Sequence, residues 1–131
     1  MDLPLESIHN QAFKAAEAVG CAGEQDKAWE MRDRLFQYQR ALDQWSAHAE
    51  AIGVNAARFE ACLASGRQAA AIRRDIDQAR KNGVTGTPSF FVAVADPAGS
   101  RVKAVAFLRG AQPFAAFKAE LDKWIEPGAG R

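Results

Sequence analysis

Gly83-Val84-Thr85-Gly86-Thr87-Pro88-Ser89-Phe90-Phe91-Val92 is where this 131-residue chain changes character. An Ala-rich, polar stretch runs up to Asn82-Gly83, and an apolar β-type run begins directly after the threonine–proline pair. Proline fixes φ, lacks an N–H and pushes the preceding residue out of the α region. Thr87-Pro88 therefore reads as a tight corner feeding a strand, the setting in which a cis X–Pro bond is usually found.

Downstream of that corner, Ser89–Ala95 and Val102–Leu108 are runs of apolar, β-branched or aromatic residues. Asp96-Pro97-Ala98-Gly99-Ser100 between them is a turn signal, with Pro at the first central position and Gly supplying a permissive φ. The pattern predicts an antiparallel hairpin. Its near-continuous hydrophobicity predicts a sheet covered on both faces. Pro113 then stands near the first position of a last helix, with Phe114, Phe117, Leu121, Trp124 and Ile125 along one face. Residues 127–131 read as a frayed tail.

Upstream, the spacing is helical. Ile8, Ala12, Ala15 or Ala16, and Val19 recur at three- and four-residue steps, with Ser7 as N-cap. Gly20 to Asp26 reads as an interruption. A second helix carries Trp29, Leu35 and Phe36, and two shorter ones are expected at 43–52 and 55–64, separated by Gly53, with Asn55 as N-cap. A helix over 68–81 places Ile72, Ile76 and Ala79 on one face, and Asn82-Gly83 closes it, with Val84 set for the accompanying apolar contact. Residues 1–5 are short and contain a proline, so they form the end of a strand or a loop.

At 48% hydrophobic residues, the chain suits one domain that buries about two-thirds of its unfolded surface. Seventeen basic and sixteen acidic residues nearly cancel, which gives no footprint for nucleic acid or an anionic membrane. No apolar run approaches the roughly 20 residues of a membrane span, and Met1–Glu6 lacks the basic and apolar regions of a signal peptide. Two cysteines and two histidines, His9 and His48, provide no metal constellation, and no cofactor is expected. Both histidines read as surface or capping residues. Trp29, Trp45 and Trp124 read as core or subdomain packing rather than a ligand stack. The charged run Arg73-Arg74-Asp75 and Asp77–Lys81 reads as the solvated face of its helix.

The stretch Gly-Val-x-Gly-Thr-Pro-x-Phe-Phe resembles the cis-proline loop of DsbA-like thiol–disulfide oxidoreductases of the thioredoxin superfamily. Three further segments are similar to that family in the same order: Asp2-Leu3-Pro4-Leu5 with His9, Gln25-Asp26-Lys27-Ala28-Trp29-Glu30-Met31, and Arg109-Gly110-Ala111-Gln112. The resemblance implies an α/β, truncated thioredoxin-like fold: a helical insertion followed by a β-β-α unit. Its parts would be the end of a core strand (1–5), a helical insertion (6–82), the core loop, hairpin and last helix (83–126), and the tail. It makes Thr85, Gly86, Thr87 and Pro88 a substrate-binding loop for protein or peptide thiols and disulfides. It also places the family's work mainly outside the cytoplasm.

The family's Cys-x-x-Cys is absent from these residues, so no catalytic residue is assigned. Cys21 and Cys62 lie 41 positions apart within helical patterns and have three readings. They are two buried small hydrophobes, a reactive thiol, or, by resemblance to cysteines that recur in some DsbA-like relatives, a structural disulfide.

The family's first core strand would neighbour Ser89–Ala95. Without it, the strand is expected to present an open edge, covered by the same edge of a second copy across a two-fold axis or, in a longer protein, by another segment. The functional expectation is protein thiol–disulfide oxidoreduction with the exchanging thiols elsewhere. The rivals are a non-catalytic binding or assembly module and a glutathione- or isomerase-type relative.

Overall fold

A computed structural model describes residues 2–125, which divide at Gly83/Val84 into two units. Residues 126–131 lie outside the described residues, and with them the expected tail.

The first unit is helical: α1 (Ala12–Gly23), α2 (Ala28–Gln37), a 3-10 turn (Gln39–Ala41), α3 (Trp45–Ala51), α4 (Ala56–Ser65) and α5 (Ala69–Lys81). Small side chains on α1, Ala18, Cys21 and Ala22, let its neighbours approach closely. They join Met31 and Leu35 of α2, Ala49 of α3, Val54, and Phe59, Cys62 and Leu63 of α4 in one buried core. Within that core Cys21 and Cys62 form a disulfide that ties α1 to α4. Buried Glu17 is accounted for by Lys14, whose ammonium lies 3.1 Å from the Glu17 carboxylate and donates to the Leu63 carbonyl at 2.8 Å.

The ends of the helices follow their residues. Asn55 caps α4 by accepting the Arg58 N–H at 2.9 Å. Gly66, at φ 63°, closes the same helix in the left-handed region. Gly83, at φ 71°, turns the chain out of α5 while its N–H donates to the Arg80 carbonyl. On α5, Ile72 and Ala79 are buried and Ile76 half-buried, the face expected from their spacing.

Several expectations need correction here. α1 begins at Ala12 rather than Ser7, because residues 5–11 form successive turns in which the Leu5 carbonyl accepts from both Ile8 and His9. Gly20 does not interrupt that helix; the break comes after Gly23, where Asp26 takes φ 59°. On α2 the buried residues are Met31 and Leu35, whereas Trp29 and Phe36 are 71% and 70% exposed, so Trp29 is not core. His48 is neither surface nor cap. It is buried beside Tyr38 and Trp45, and its Nε2–H donates to the Ala41 carbonyl at 2.8 Å. Residues 2–5 form a loop, one of the two readings their sequence left open, and the Asp2 N–H donates to the Asp75 carboxylate.

The second unit contains β1 (Ser89–Ala95), β2 (Val102–Arg109) and α6 (Phe114–Ile125). The strands pair antiparallel from Ser89↔Arg109 to Ala95↔Val102, with a shift after Val92↔Ala106 that leaves Val105 as the extra residue of a bulge. Asp96 closes the connecting turn by accepting the Ser100 N–H and hydroxyl, both at 2.8 Å. Those hydrogen bonds hold its carboxyl below the usual range. Phe91 stacks on Phe107 at 4.6 Å, and Phe90 meets Phe117 of α6 edge-on at 4.9 Å.

The expected covering of both sheet faces is not found. No side chain of β1, β2 or α6 is fully buried, and Phe114 and Ile125 of the apolar α6 stripe are 79% and 71% exposed. Trp124 is likewise exposed. The apolar residues recur with the expected periodicity, but many of them stay exposed.

Two stability predictions arise from the helical core. Replacing both Cys21 and Cys62 by Ala should lower unfolding free energy by about 4 kcal/mol, the chain-entropy value for a loop of this length. An unchanged urea midpoint would contradict a bond at these positions. His48→Ala, which leaves a void and an unpaired Ala41 carbonyl, should cost about 3 kcal/mol. The exposed Glu50→Ala should stay within about 0.5 kcal/mol of the parent.

Candidate functional site

The loop between Gly83 and β1 has few internal hydrogen bonds. Val84 is buried, Gly86 half-buried, and Thr85, Thr87 and Pro88 exposed. The Thr87–Pro88 bond is cis. Two contacts fix the loop from the side of the hairpin. The Ser89 hydroxyl donates to the Gly86 carbonyl at 2.8 Å, and the Gly110 N–H donates to the Pro88 carbonyl at 2.8 Å.

Gly110 reaches that position at φ 77°, a backbone conformation suited to glycine. Gln112 braces the same turn: its N–H donates to the Gly110 carbonyl and its side-chain amide to the Arg109 carbonyl. The segment Arg109-Gly110-Ala111-Gln112 is thus the support on which the loop rests. Its part in holding Pro88 was not visible in the sequence, where only its likeness to a family segment stood out.

Among the described residues, the Thr87 backbone N–H and carbonyl have no protein partner, and Thr87 faces solvent. The loop itself, from Val84 to Pro88, carries no charge, no thiol and no acid or base.

The two cysteines sit in the helical unit and not in this loop. Both are 1% exposed and bonded to each other, which leaves no free thiol in the chain. This corrects the readings of Cys21 and Cys62 as separate hydrophobes or as a reactive thiol. Around Cys62 the structure gathers three residues that the sequence did not single out. Glu24 accepts from the Arg67 Nε–H at 2.8 Å and from the Gln68 side-chain amide at 2.7 Å, and its Oε1 lies 3.6 Å from Cys62 Sγ. The Arg67 hydrogen bond holds the Glu24 carboxyl below its usual range and raises the Arg67 guanidinium correspondingly. The available signal was Gly20, a glycine inside a helix one residue before a cysteine.

Gln25 belongs to another of the family-like segments. It makes a reciprocal pair with the Asn55 backbone, accepting its N–H at 2.8 Å and donating to its carbonyl at 3.4 Å. That pair fixes the α1–α2 turn against the start of α4. A depression of about 390 Å³ lined by Phe36–Ala41 holds no nucleophile paired with a base. Among the described residues no three His, Cys, Asp or Glu side chains converge on a metal-sized site, and no helix is long and apolar enough to cross a membrane.

Comparison with known proteins places these features. The chain is 41% identical over 92 residues to Na(+)/H(+) antiporter NhaA 1 of Salinispora arenicola (strain CNS-205), covering 69% of this chain and 14% of the antiporter. It is 41% identical, with the same coverage, to Na(+)/H(+) antiporter NhaA 3 of Salinispora tropica. It is 34% identical over 94 residues to Na(+)/H(+) antiporter NhaA 1 of Mycolicibacterium vanbaalenii, covering 68% of this chain and 15% of that protein. The chain therefore spans a small fraction of the length of the curated relatives it matches. No solved structure matches it. A family model described as DSBA-like thioredoxin domain matches residues 1–122, and the chain belongs to that family.

Proposed function

We propose that these residues are the substrate-facing part of a DsbA-like protein thiol–disulfide oxidoreductase whose exchanging thiols come from outside them. The observation that carries the reading is Thr87, which offers an unpartnered N–H and carbonyl in a loop whose flanking groups are tied down by Ser89 and Gly110. An extended protein or peptide bearing a thiol or disulfide is the substrate class that this backbone suits. Exchange itself needs a thiolate, and both cysteines of the chain are buried in a disulfide. The work of these residues is then to hold substrate while other thiols react.

A second reading is a non-catalytic binding module. It is favoured by the relatives, which are named as Na(+)/H(+) antiporters and share with this chain a segment of only 14–15% of their length. In that reading Thr87 holds a peptide segment and no exchange follows. An in-frame Cys-x-x-Cys encoded upstream of Met1 would favour the oxidoreductase; its absence there would favour the module.

In both readings the outer edge of β1 takes a further strand. Its backbone has no partner beyond β2 among the described residues, and Phe90, Phe91 and Val94 are exposed. The same edge of a second copy, free of charged residues from Ser89 to Ala95, is the simplest occupant.

The purified chain should reduce insulin no faster than the dithiothreitol background, while an extended cysteine-containing peptide should perturb the amide resonances of Thr85, Thr87 and Ser89. Turnover above background would show that Cys21 or Cys62 exchanges. Unmoved loop resonances would remove the substrate-binding role. Light scattering at micromolar concentration should give twice the chain mass, and a clean monomer would reject the β1 pairing.

A further inference from the structure

The Cys21–Cys62 disulfide is covered on one side by apolar core and at Cys62 by polar groups. Glu24 Oε1 stands 3.6 Å from Cys62 Sγ, and the Gln68 side-chain nitrogen 4.0 Å from it. Neither contact arises by chance of a loose side chain. Glu24 is gripped by Arg67 through Nε and Nη2, one edge of the guanidinium, and by the Gln68 amide. Gln68, in turn, lies where a Cβ on Gly20 would fall, 2.9 Å from its Cδ and Oε1. Gly20, in the interior of α1, is therefore the residue that makes room for it.

We propose that Glu24, Arg67 and Gln68 form a clasp that keeps the Cys21–Cys62 disulfide out of thiol exchange, by placing a fixed negative charge and a polar cover against Cys62. An incoming thiolate forms a new S–S bond to one cysteine sulfur while the Cys21–Cys62 bond breaks, and the bonding pair leaves on the other sulfur, which then takes up a proton. With a dithiol reductant, the second thiol displaces the remaining cysteine as a thiolate and the reductant ends as a cyclic disulfide.

Negative charge in that step is shared among attacking, central and departing sulfurs. Cys62 is central if it is attacked and departing if Cys21 is attacked. Both routes therefore develop charge next to Glu24. Arg67 holds the carboxylate beside the sulfur while offsetting part of its charge, and Gln68 fills the approach. The proposal is independent of what the loop at Thr87 binds.

The test is the rate at which dithiothreitol reduces the disulfide in the native chain. Glu24→Gln keeps the shape of the clasp and removes its charge. It should accelerate reduction at low salt by less than the roughly fivefold that two full unit charges about 4 Å apart would give in a water-like dielectric, because Arg67 offsets part of the carboxylate charge and the sulfurs share theirs, and the gap to the parent should narrow as salt is added. Gln68→Ala opens the cover and should also accelerate reduction several-fold. Glu30→Gln, which removes the exposed carboxylate paired with Lys27, should leave the rate unchanged. Urea midpoints measured on the same variants separate the clasp from global stability. Acceleration at an unchanged midpoint supports the clasp. Rates equal to the parent in both variants, or acceleration only in proportion to a lowered midpoint, would overturn it.

Discussion

The helical unit depends on one covalent link. Cys21 and Cys62 bring the last turn of α1 and the C-terminal half of α4 to a Cα separation of 5.7 Å, and the core residues from α2 and α3 close around that junction. The side chains at the junction are short: Ala18, Ala22 and Ala49 bury little apolar area each, at roughly 25 cal/mol per Å². A core of such residues gains much of its definition from the bond that holds two of its helices in register. The large side chains Met31 and Phe59 then fill the space the helices leave.

The same link determines what the chain can do. Thiol exchange requires a thiolate and an accessible sulfur, and the disulfide provides neither while the core is folded. The loop at Thr87 is the opposite in character: exposed, uncharged, and fixed at its flanks by Ser89 and Gly110 with backbone groups to spare. The chain thus has a locked pair of sulfurs in its helical unit and an open, uncharged loop in its second unit, within a member of the DSBA-like thioredoxin domain family.

Much of this order was legible in the sequence, for identifiable reasons. Asn82-Gly83 and Thr87-Pro88 punctuate the chain through backbone effects that packing rarely overrides, so the end of α5 and the start of β1 fall where they were read. Asn55 caps α4 by a local hydrogen bond. What failed were inferences about which face is covered. Two apolar pairs run along α2, Met31 with Leu35 and Trp29 with Phe36, and periodicity cannot choose between them; the structure buries the first pair. The hairpin and the α6 stripe fail in the same way. Alternation and helical spacing show which residues share a face, but not whether anything lies against it.

His48 and the Glu24 clasp escaped notice because each depends on contacts distant in the chain or on a turn with no strong signal. His48 is buried because a 3-10 turn presents the Ala41 carbonyl to its ring. Glu24 meets residues 43 and 44 positions away. Counting thiols in the purified, non-reduced protein separates a bonded Cys21–Cys62 pair from two free cysteines. No thiol should react with a maleimide natively or in denaturant, and two should react after reduction. One or two reactive thiols before reduction would show that the pair is not bonded.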